Sequence, residues 1–123
     1  MKILLVEDNI LNQKVVAFHL KKKDYDVVCT DNGRDALSIV KNQTIDLILM
    51  DIMLPEMNGF EITQEIRKLE TEKGVNKRVP IIAVTANTLD NDREKCLDAG
   101  MDEYLPKPFS AHDLYRKIDE IMV

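Results

Sequence analysis

Two kinds of segment alternate along this chain: short, nearly continuous apolar runs, and longer stretches in which apolar residues recur at helical spacing. Short runs rich in apolar residues predict β-strands at 2–6, 26–30, 46–50, 80–84 and 102–106. The first, third and fourth runs are almost continuously apolar, as is typical of strands covered on both faces. A parallel sheet with helices on both sides would bury such strands.

Between these runs, apolar residues recur at helical spacing. The pattern predicts helices at 10–23, 33–42, 59–73, 90–100 and 110–122. In the first helix, Leu11, Val15 and Phe18 share one stripe, and Asn9 precedes it as a candidate N-cap. Strand and helix therefore alternate five times, which predicts one doubly wound α/β domain with right-handed crossovers over residues 1–123.

Composition and charge narrow the classes of function. The 123 residues are 45% hydrophobic and 32% charged, which indicates a folded domain rather than a disordered chain. A net charge of −5 and no basic run longer than the three lysines at 21–23 argue against direct nucleic-acid binding. Two cysteines without metal-ligand spacing, and no run of membrane-spanning length, predict a reduced cytoplasmic protein without membrane insertion.

Candidate chemistry gathers where the predicted strands end. Glu7 and Asp8 follow the first strand, Asp51 the third and Thr85 the fourth, and Lys107 comes just after the fifth. Ligands of open parallel sheets bind beyond the carboxyl ends of the strands, where the strand order reverses. We therefore expect these five side chains to converge.

Three acids at one place require compensating positive charge. Two carboxylates about 4 Å apart repel by roughly 4 kcal/mol at the effective dielectric near a protein surface. Lys107 can offset one charge, and a hard divalent cation can offset two more. The predicted set offers neither imidazole nor thiolate, so it favours Mg²⁺, with Mn²⁺ as the alternative ion, over zinc or copper.

The same set suits phosphoryl transfer. Carboxylates are known nucleophiles that form aspartyl-phosphate, which makes Asp51 the candidate acceptor. The transferring group needs positive charge around its oxygens, and the metal and Lys107 would supply it. Thr85 would donate a hydrogen bond to a phosphoryl oxygen.

Four motifs in register carry a family resemblance. The segments "LLVEDN", "LILMDIMLPEMNG", "IIAVTAN" and "DEYLPKP" resemble the response-regulator receiver domain family, which is CheY-like. The segments "EDNILNQKVV" and "DREKCLDAGMDEYLPKP" further resemble those of receivers attached to hybrid sensor histidine kinases. The resemblance covers essentially the whole chain and implies a flavodoxin-like sheet with strand order 2-1-3-4-5.

The resemblance also implies a metal site. It makes Asp51 the phosphoacceptor and Asp8 a metal ligand. It has Glu7 act on the metal directly or through water, and it adds the backbone carbonyl of Met53 to the ligand set.

Three further residues receive roles from the resemblance. Lys107 would pair first with Asp51 and later with the phosphoryl group, and its peptide bond to Pro108 would be cis. Thr85 and Tyr104 would form the switch that moves inward on phosphorylation.

The implied function is two-component phosphorelay signalling. The domain would accept a phosphoryl group from a phosphohistidine of a sensor histidine kinase or a histidine phosphotransfer protein, with homodimer formation through residues 88–122 as a further use. It would catalyse only its own phosphorylation and dephosphorylation. Both a stand-alone regulator and a receiver within a larger protein fit the sequence.

Rival functions are weaker but differ in class. The alternative in the same fold is a protein-binding module that works without phosphorylation. A haloacid-dehalogenase-type phosphatase would need a second Asp where Met53 stands. A flavodoxin-like FMN carrier would meet two negative charges in "VEDN", where it must hold a phosphate.

Overall fold

The computed structural model describes residues 1–54, 56–74, 78–86 and 92–122. The strands are β1 (Lys2–Val6), β2 (Asp26–Thr30), β3 (Leu47–Asp51), β4 (Ile81–Thr85) and β5 (Glu103–Pro106). The helices are α1 (Ile10–Lys22), α2 (Gly33–Asn42), α3 (Gly59–Lys73), α4 (Asp92–Ala99) and α5 (Ala111–Met122). Within the described residues, no helix is both long and apolar enough to cross a membrane.

All five strands pair in parallel, in the order β2-β1-β3-β4-β5. The predicted fold class, strand order and alternation of elements are therefore confirmed. Several boundaries differ from the prediction by one or two residues. Two of these differences affect the site, because Asp51 and Thr85 are the last residues of β3 and β4 rather than the first residues after them. Both side chains are thus held by strand backbone. Positions 90 and 91 of the predicted fourth helix lie outside the described residues.

The core consists of one apolar layer on each face of the sheet, because successive strand residues point to opposite faces. One layer contains Val6, Ile48, Met50, Ile62, Ile66 and Ile81, and the other contains Leu5, Leu20, Leu47, Leu49, Ile82 and Leu114. Every residue of β3 and β4 is buried, as their continuous apolar sequence predicts. The central strands therefore give the site a rigid base.

Helix α1 uses a different face from the one that its apolar spacing predicts. Leu11, Val15 and Phe18 are 71%, 49% and 59% exposed. The sheet instead receives the stripe that contains Ala17 and Leu20, both buried. Apolar residues occupy two stripes of this helix, and periodicity alone does not tell which of them faces the sheet. The stripe with the small Ala17 can approach the sheet closely.

The start of α3 is fixed directly beside the end of β3. Asn58 and Glu61 form a reciprocal capping box at the helix N-terminus. The Gly59 N–H donates to the Ile52 carbonyl at 3.0 Å. A Cβ at Gly59 would lie 2.6 Å from the Asp51 carbonyl oxygen, so only glycine permits this approach. The loop after Asp51 is therefore closely packed where it meets α3.

Candidate functional site

Three carboxylates meet at the carboxyl ends of β1 and β3. Ligand oxygens of Glu7, Asp8 and Asp51 all lie within 4.8 Å of one another. Glu7 and Asp51 are buried, at 4% and 5% exposure, whereas Asp8 is exposed. The strand ends place the acids together because β1 and β3 are neighbours, with Val6 opposite Met50.

Lys107 reaches into this acidic cluster from the loop after β5. Its Nζ donates to Glu7 Oε1 at 3.0 Å and to Asp51 Oδ2 at 3.3 Å. Its backbone N–H donates to the Thr85 carbonyl at 2.7 Å, which ties the loop to the end of β4. The Lys107–Pro108 peptide bond is cis, as the family resemblance implies.

Burial and charge shift the pKa values of two of these groups. Burial raises the pKa of Glu7 above 4.5, the adjacent Asp51 raises it further, and Lys107 only partly opposes the rise. Burial alone would lower the pKa of Lys107, but the hydrogen bond to Glu7 and the charges of Asp51 and Glu7 outweigh it and raise this pKa above 10.5. Lys107 therefore stays charged at neutral pH.

The raised pKa of Glu7 predicts a pH effect on the metal-free protein. The folded state binds the Glu7 proton more tightly than the unfolded state, so this stabilisation is complete below pH 4.5 and is lost as pH rises through the raised pKa. Glu7→Gln is permanently neutral and should unfold at a higher temperature than wild type at pH 8 in EDTA, with no such advantage at pH 4. Thermal unfolding at both pH values measures this. An equal advantage at both pH values would contradict it, and Glu65→Gln on α3 is the exposed control.

The remaining predicted residues also lie at this end of the sheet. The Met53 N–H donates to Asp51 Oδ1 at 3.1 Å, and the Met53 side chain is 69% exposed. Thr85 is buried at the end of β4. Tyr104 is half-buried in β5 and packs against the core layer that contains Val6 and Ile81. The metal-binding role of the Met53 carbonyl and the switch roles of Thr85 and Tyr104 stay predictions.

The donor set fits a hard divalent cation. Only carboxylate oxygens make up the cluster, and these are ligands that Mg²⁺ prefers. Two of the three acids are buried beside a single lysine, so negative charge remains for a cation to neutralise. The residues present therefore suit Mg²⁺.

A cleft of about 580 Å³ opens beside Asp51, between α1 and the loop after β5. Val15, Val16 and His19 line its α1 side, and Lys107 and Phe109 line the opposite side. The apolar spacing of α1 did not predict that this helix lines the cleft. It also did not predict the inward-facing Gln13, whose amide donates to the Glu7 and Thr30 carbonyls. The available signal was that Gln13 is a polar residue on the stripe of Ala17 and Leu20.

Comparisons with known proteins show which family this chain belongs to. The sequence model of the family described as "Response regulator receiver domain" matches residues 3–119. Histidine kinase 3 of Arabidopsis thaliana is 41% identical over a match that covers 95% of this chain and 13% of that protein. Hybrid signal transduction histidine kinase B of Dictyostelium discoideum is 42% identical, over 92% of this chain and 6% of that protein. The chain thus spans a small part of these relatives.

Two solved structures are similar over nearly the whole chain. The receiver domain of sensor histidine kinase PA1611 from Pseudomonas aeruginosa, with magnesium in its active-site cleft, is 45% identical with a TM-score of 0.85; 97% of this chain and 94% of that chain are covered. A chain of the Saccharomyces cerevisiae co-crystal of the phosphotransfer protein Ypd1 with the Ssk1 receiver domain is 35% identical with a TM-score of 0.92. In that match, 98% of this chain and 87% of that chain are covered.

Proposed function

Because this chain belongs to the response regulator receiver domain family, a phosphoacceptor domain of two-component phosphorelays, we propose that Asp51 is its acceptor. The observation that carries the proposal is the Lys107 ammonium, which bridges the two buried acids of the cluster, Glu7 and Asp51. Asp51 is buried beside this ammonium and lines the cleft. A fixed carboxylate beside fixed positive charge suits phosphoryl transfer.

In the transfer step, an Asp51 carboxylate oxygen attacks the phosphorus of a partner phosphohistidine. The new O–P bond forms as the P–N bond breaks, and the leaving imidazole nitrogen takes up a proton. Glu7, Asp8, Asp51 and the Met53 carbonyl would hold Mg²⁺, which when bound would supply positive charge near the phosphoryl oxygens. Lys107 moves from Asp51 to the phosphoryl group, and Thr85 donates to a phosphoryl oxygen. The domain supplies these groups itself, both for its phosphorylation and for later hydrolysis.

The test uses a small donor, so that no partner is required. Wild-type protein with Mg²⁺ and acetyl phosphate should gain the mass of one phosphoryl group by intact-mass spectrometry. No gain under sustained donor excess would contradict the proposal. That result would favour the alternative, a protein-binding module that works without phosphorylation.

Lys107→Ala should impair transfer while metal binding persists. The substitution removes the positive charge that neutralises the transferring group, which typically costs about 100-fold or more in rate. Mg²⁺ affinity should be retained, because Lys107 competes with the cation for Glu7 and Asp51. Acetyl phosphate kinetics and calorimetric Mg²⁺ titration measure the two properties, with the exposed Lys95→Ala on α4 as control. Loss of folding instead would show that Lys107 is a structural residue.

The exposed stripe of α1 is the proposed docking surface for a histidine phosphotransfer protein. Leu11, Val15 and Phe18 form it, and Val15 also lines the cleft that leads to Asp51. A donor must cover this rim to bring its phosphohistidine to Asp51, and an exposed apolar patch marks a protein contact. The similar yeast receiver domain was crystallised with such a partner.

Leu11→Ser tests the docking surface. It should slow transfer from a phosphorylated phosphotransfer protein such as Ypd1 by roughly tenfold, as expected when an apolar contact that becomes buried in the complex is lost. Phosphorylation by acetyl phosphate should not change. Leu97→Ser makes the same chemical change at an exposed residue of α4 and is the matched control. An equal loss in both variants, or none in either, would place the docking surface elsewhere.

Phosphorylation should then act as a population shift between two states of the domain. The hydrogen bond from the Lys107 N–H to the Thr85 carbonyl connects the lysine to the end of β4 and supports this proposal. Movement of the Lys107 side chain would be passed to Thr85 and then to Tyr104 in β5. Residues 88–122 are the proposed output and homodimer face, of which 88–91 lie outside the described residues. We place this activity in the cytoplasm.

A further inference from the structure

We infer that Gln13 is a positioning residue for the metal site, because its amide fixes the backbone that carries the acid pair Glu7 and Asp8. It faces inward from α1 and is half-buried. The inference rests on the Mg²⁺-dependent function proposed above and adds a residue that acts on the metal through other groups.

The side-chain amide of Gln13 joins two strand ends. Its Nε2 donates to the Glu7 carbonyl at 3.1 Å and to the Thr30 carbonyl at 3.3 Å. The Glu7 N–H also donates to the Thr30 carbonyl, at 3.0 Å. The amide therefore adds a side-chain bridge between the ends of β1 and β2, at the start of the loop that carries Glu7 and Asp8.

The backbone of Gln13 holds the other side of the same loop. Its N–H donates to the Asn9 carbonyl at 2.9 Å, and the Asn9 N–H lies 3.4 Å from Glu7 Oε2. Gln13 thus contacts both neighbours of Asp8 in sequence. In the described part of the chain, the Asp8 carboxylate accepts no hydrogen bond, so its placement depends on this loop backbone.

Glutamine suits this position for a chemical reason. Its amide nitrogen carries two hydrogens and can therefore satisfy two carbonyl oxygens at once. Without it, Thr30 would keep the Glu7 N–H as a donor, but the Glu7 carbonyl would lose its bond from Nε2. Because an unpaired carbonyl near the protein interior is unfavourable, the loop would shift until the Glu7 carbonyl could bind water. That movement would displace the Glu7 and Asp8 carboxylates from each other.

Gln13→Met tests the inference, because it keeps the length of the side chain and removes both donors. Mg²⁺ affinity, measured by isothermal titration calorimetry, should fall roughly tenfold, as is usual when a group that orients metal ligands is lost. Gln64→Met makes the same change at an exposed position of α3 and should leave the affinity unchanged. Gln13→Asn retracts the amide by one methylene and should also weaken binding, which decides the matter if the Met variant does not fold.

A kinetic readout separates positioning from general damage. The rate of phosphorylation by acetyl phosphate should need more Mg²⁺ in Gln13→Met but should return close to the wild-type rate at saturating Mg²⁺. A lower melting temperature with unchanged Mg²⁺ affinity would overturn the inference and leave Gln13 a structural residue. Wild type that bound no Mg²⁺ would overturn the proposed function as well. Wild type that binds Mg²⁺, with variants of equal affinity, would overturn this inference alone.

Discussion

Asp51→Asn should abolish the gain of a phosphoryl group from acetyl phosphate. The amide of asparagine is not a nucleophile, and loss of the nucleophile from a group of residues that act together costs several orders of magnitude in rate. The fold should persist, because Asn has nearly the shape of Asp and the change removes one charge from a buried acidic cluster. Intact-mass spectrometry over a time course measures the gain.

The control for this experiment is Asp98→Asn, which makes the same change at an exposed position of α4. It should be phosphorylated as fast as wild type. A phosphoryl gain in Asp51→Asn equal to that of the control would place the acceptor on another residue. A loss of folding in Asp51→Asn alone would instead mark Asp51 as a structural residue at the end of β3.

Removal of the divalent cation should slow phosphorylation by an amount similar to that expected for Asp51→Asn. Without it, an incoming phosphoryl group with negative charge meets three carboxylates and one ammonium. In EDTA, phosphorylation by acetyl phosphate should therefore fall by several orders of magnitude, and excess Mg²⁺ should restore it. Mn²⁺ should restore it too, because it takes the same oxygen ligands.

Asp8→Asn localises the requirement for the cation. Asp8 is the exposed member of the acidic cluster and accepts no hydrogen bond from the described residues, so its loss should weaken Mg²⁺ binding by about tenfold or more with little change in melting temperature. Asp31→Asn, an exposed acid at the end of β2, is the matched control and should bind Mg²⁺ as wild type does. Equal Mg²⁺ affinity in both variants would remove Asp8 from the ligand set.

Much of the fold was predictable from the sequence because strands and helices of this chain have distinct periods. The continuous apolar sequences of β3 and β4 indicated strands covered on both faces, and both strands are fully buried. The convergence of Glu7, Asp51 and Lys107 was also predictable. Parallel strands end at one edge of the sheet, so residues distant in sequence meet there whatever the detailed packing.

The orientation of helix α1 could not be predicted from its apolar spacing. Its apolar residues lie on two stripes, and the stripe on which helical spacing places Leu11, Val15 and Phe18 is exposed. The inward stripe contains Ala17 and Leu20, and it also contains Gln13. The position of Gln13 on this stripe was the available signal, but its contact with two strand ends becomes visible only when the packing of α1 is known.

The order of elements, the parallel sheet and the set of acids and lysine at its carboxyl edge could all be predicted from the amino-acid sequence. These features depend on local periodicity and on chain connectivity. Three features became visible only in the folded domain: which face of α1 meets the sheet, how Lys107 divides its hydrogen bonds between Glu7 and Asp51, and the hydrogen bond from Gln13 to the Glu7 carbonyl. Those features depend on which side chains fit between packed elements, because contact between residues far apart along the chain is set by packing and is not encoded in any local period.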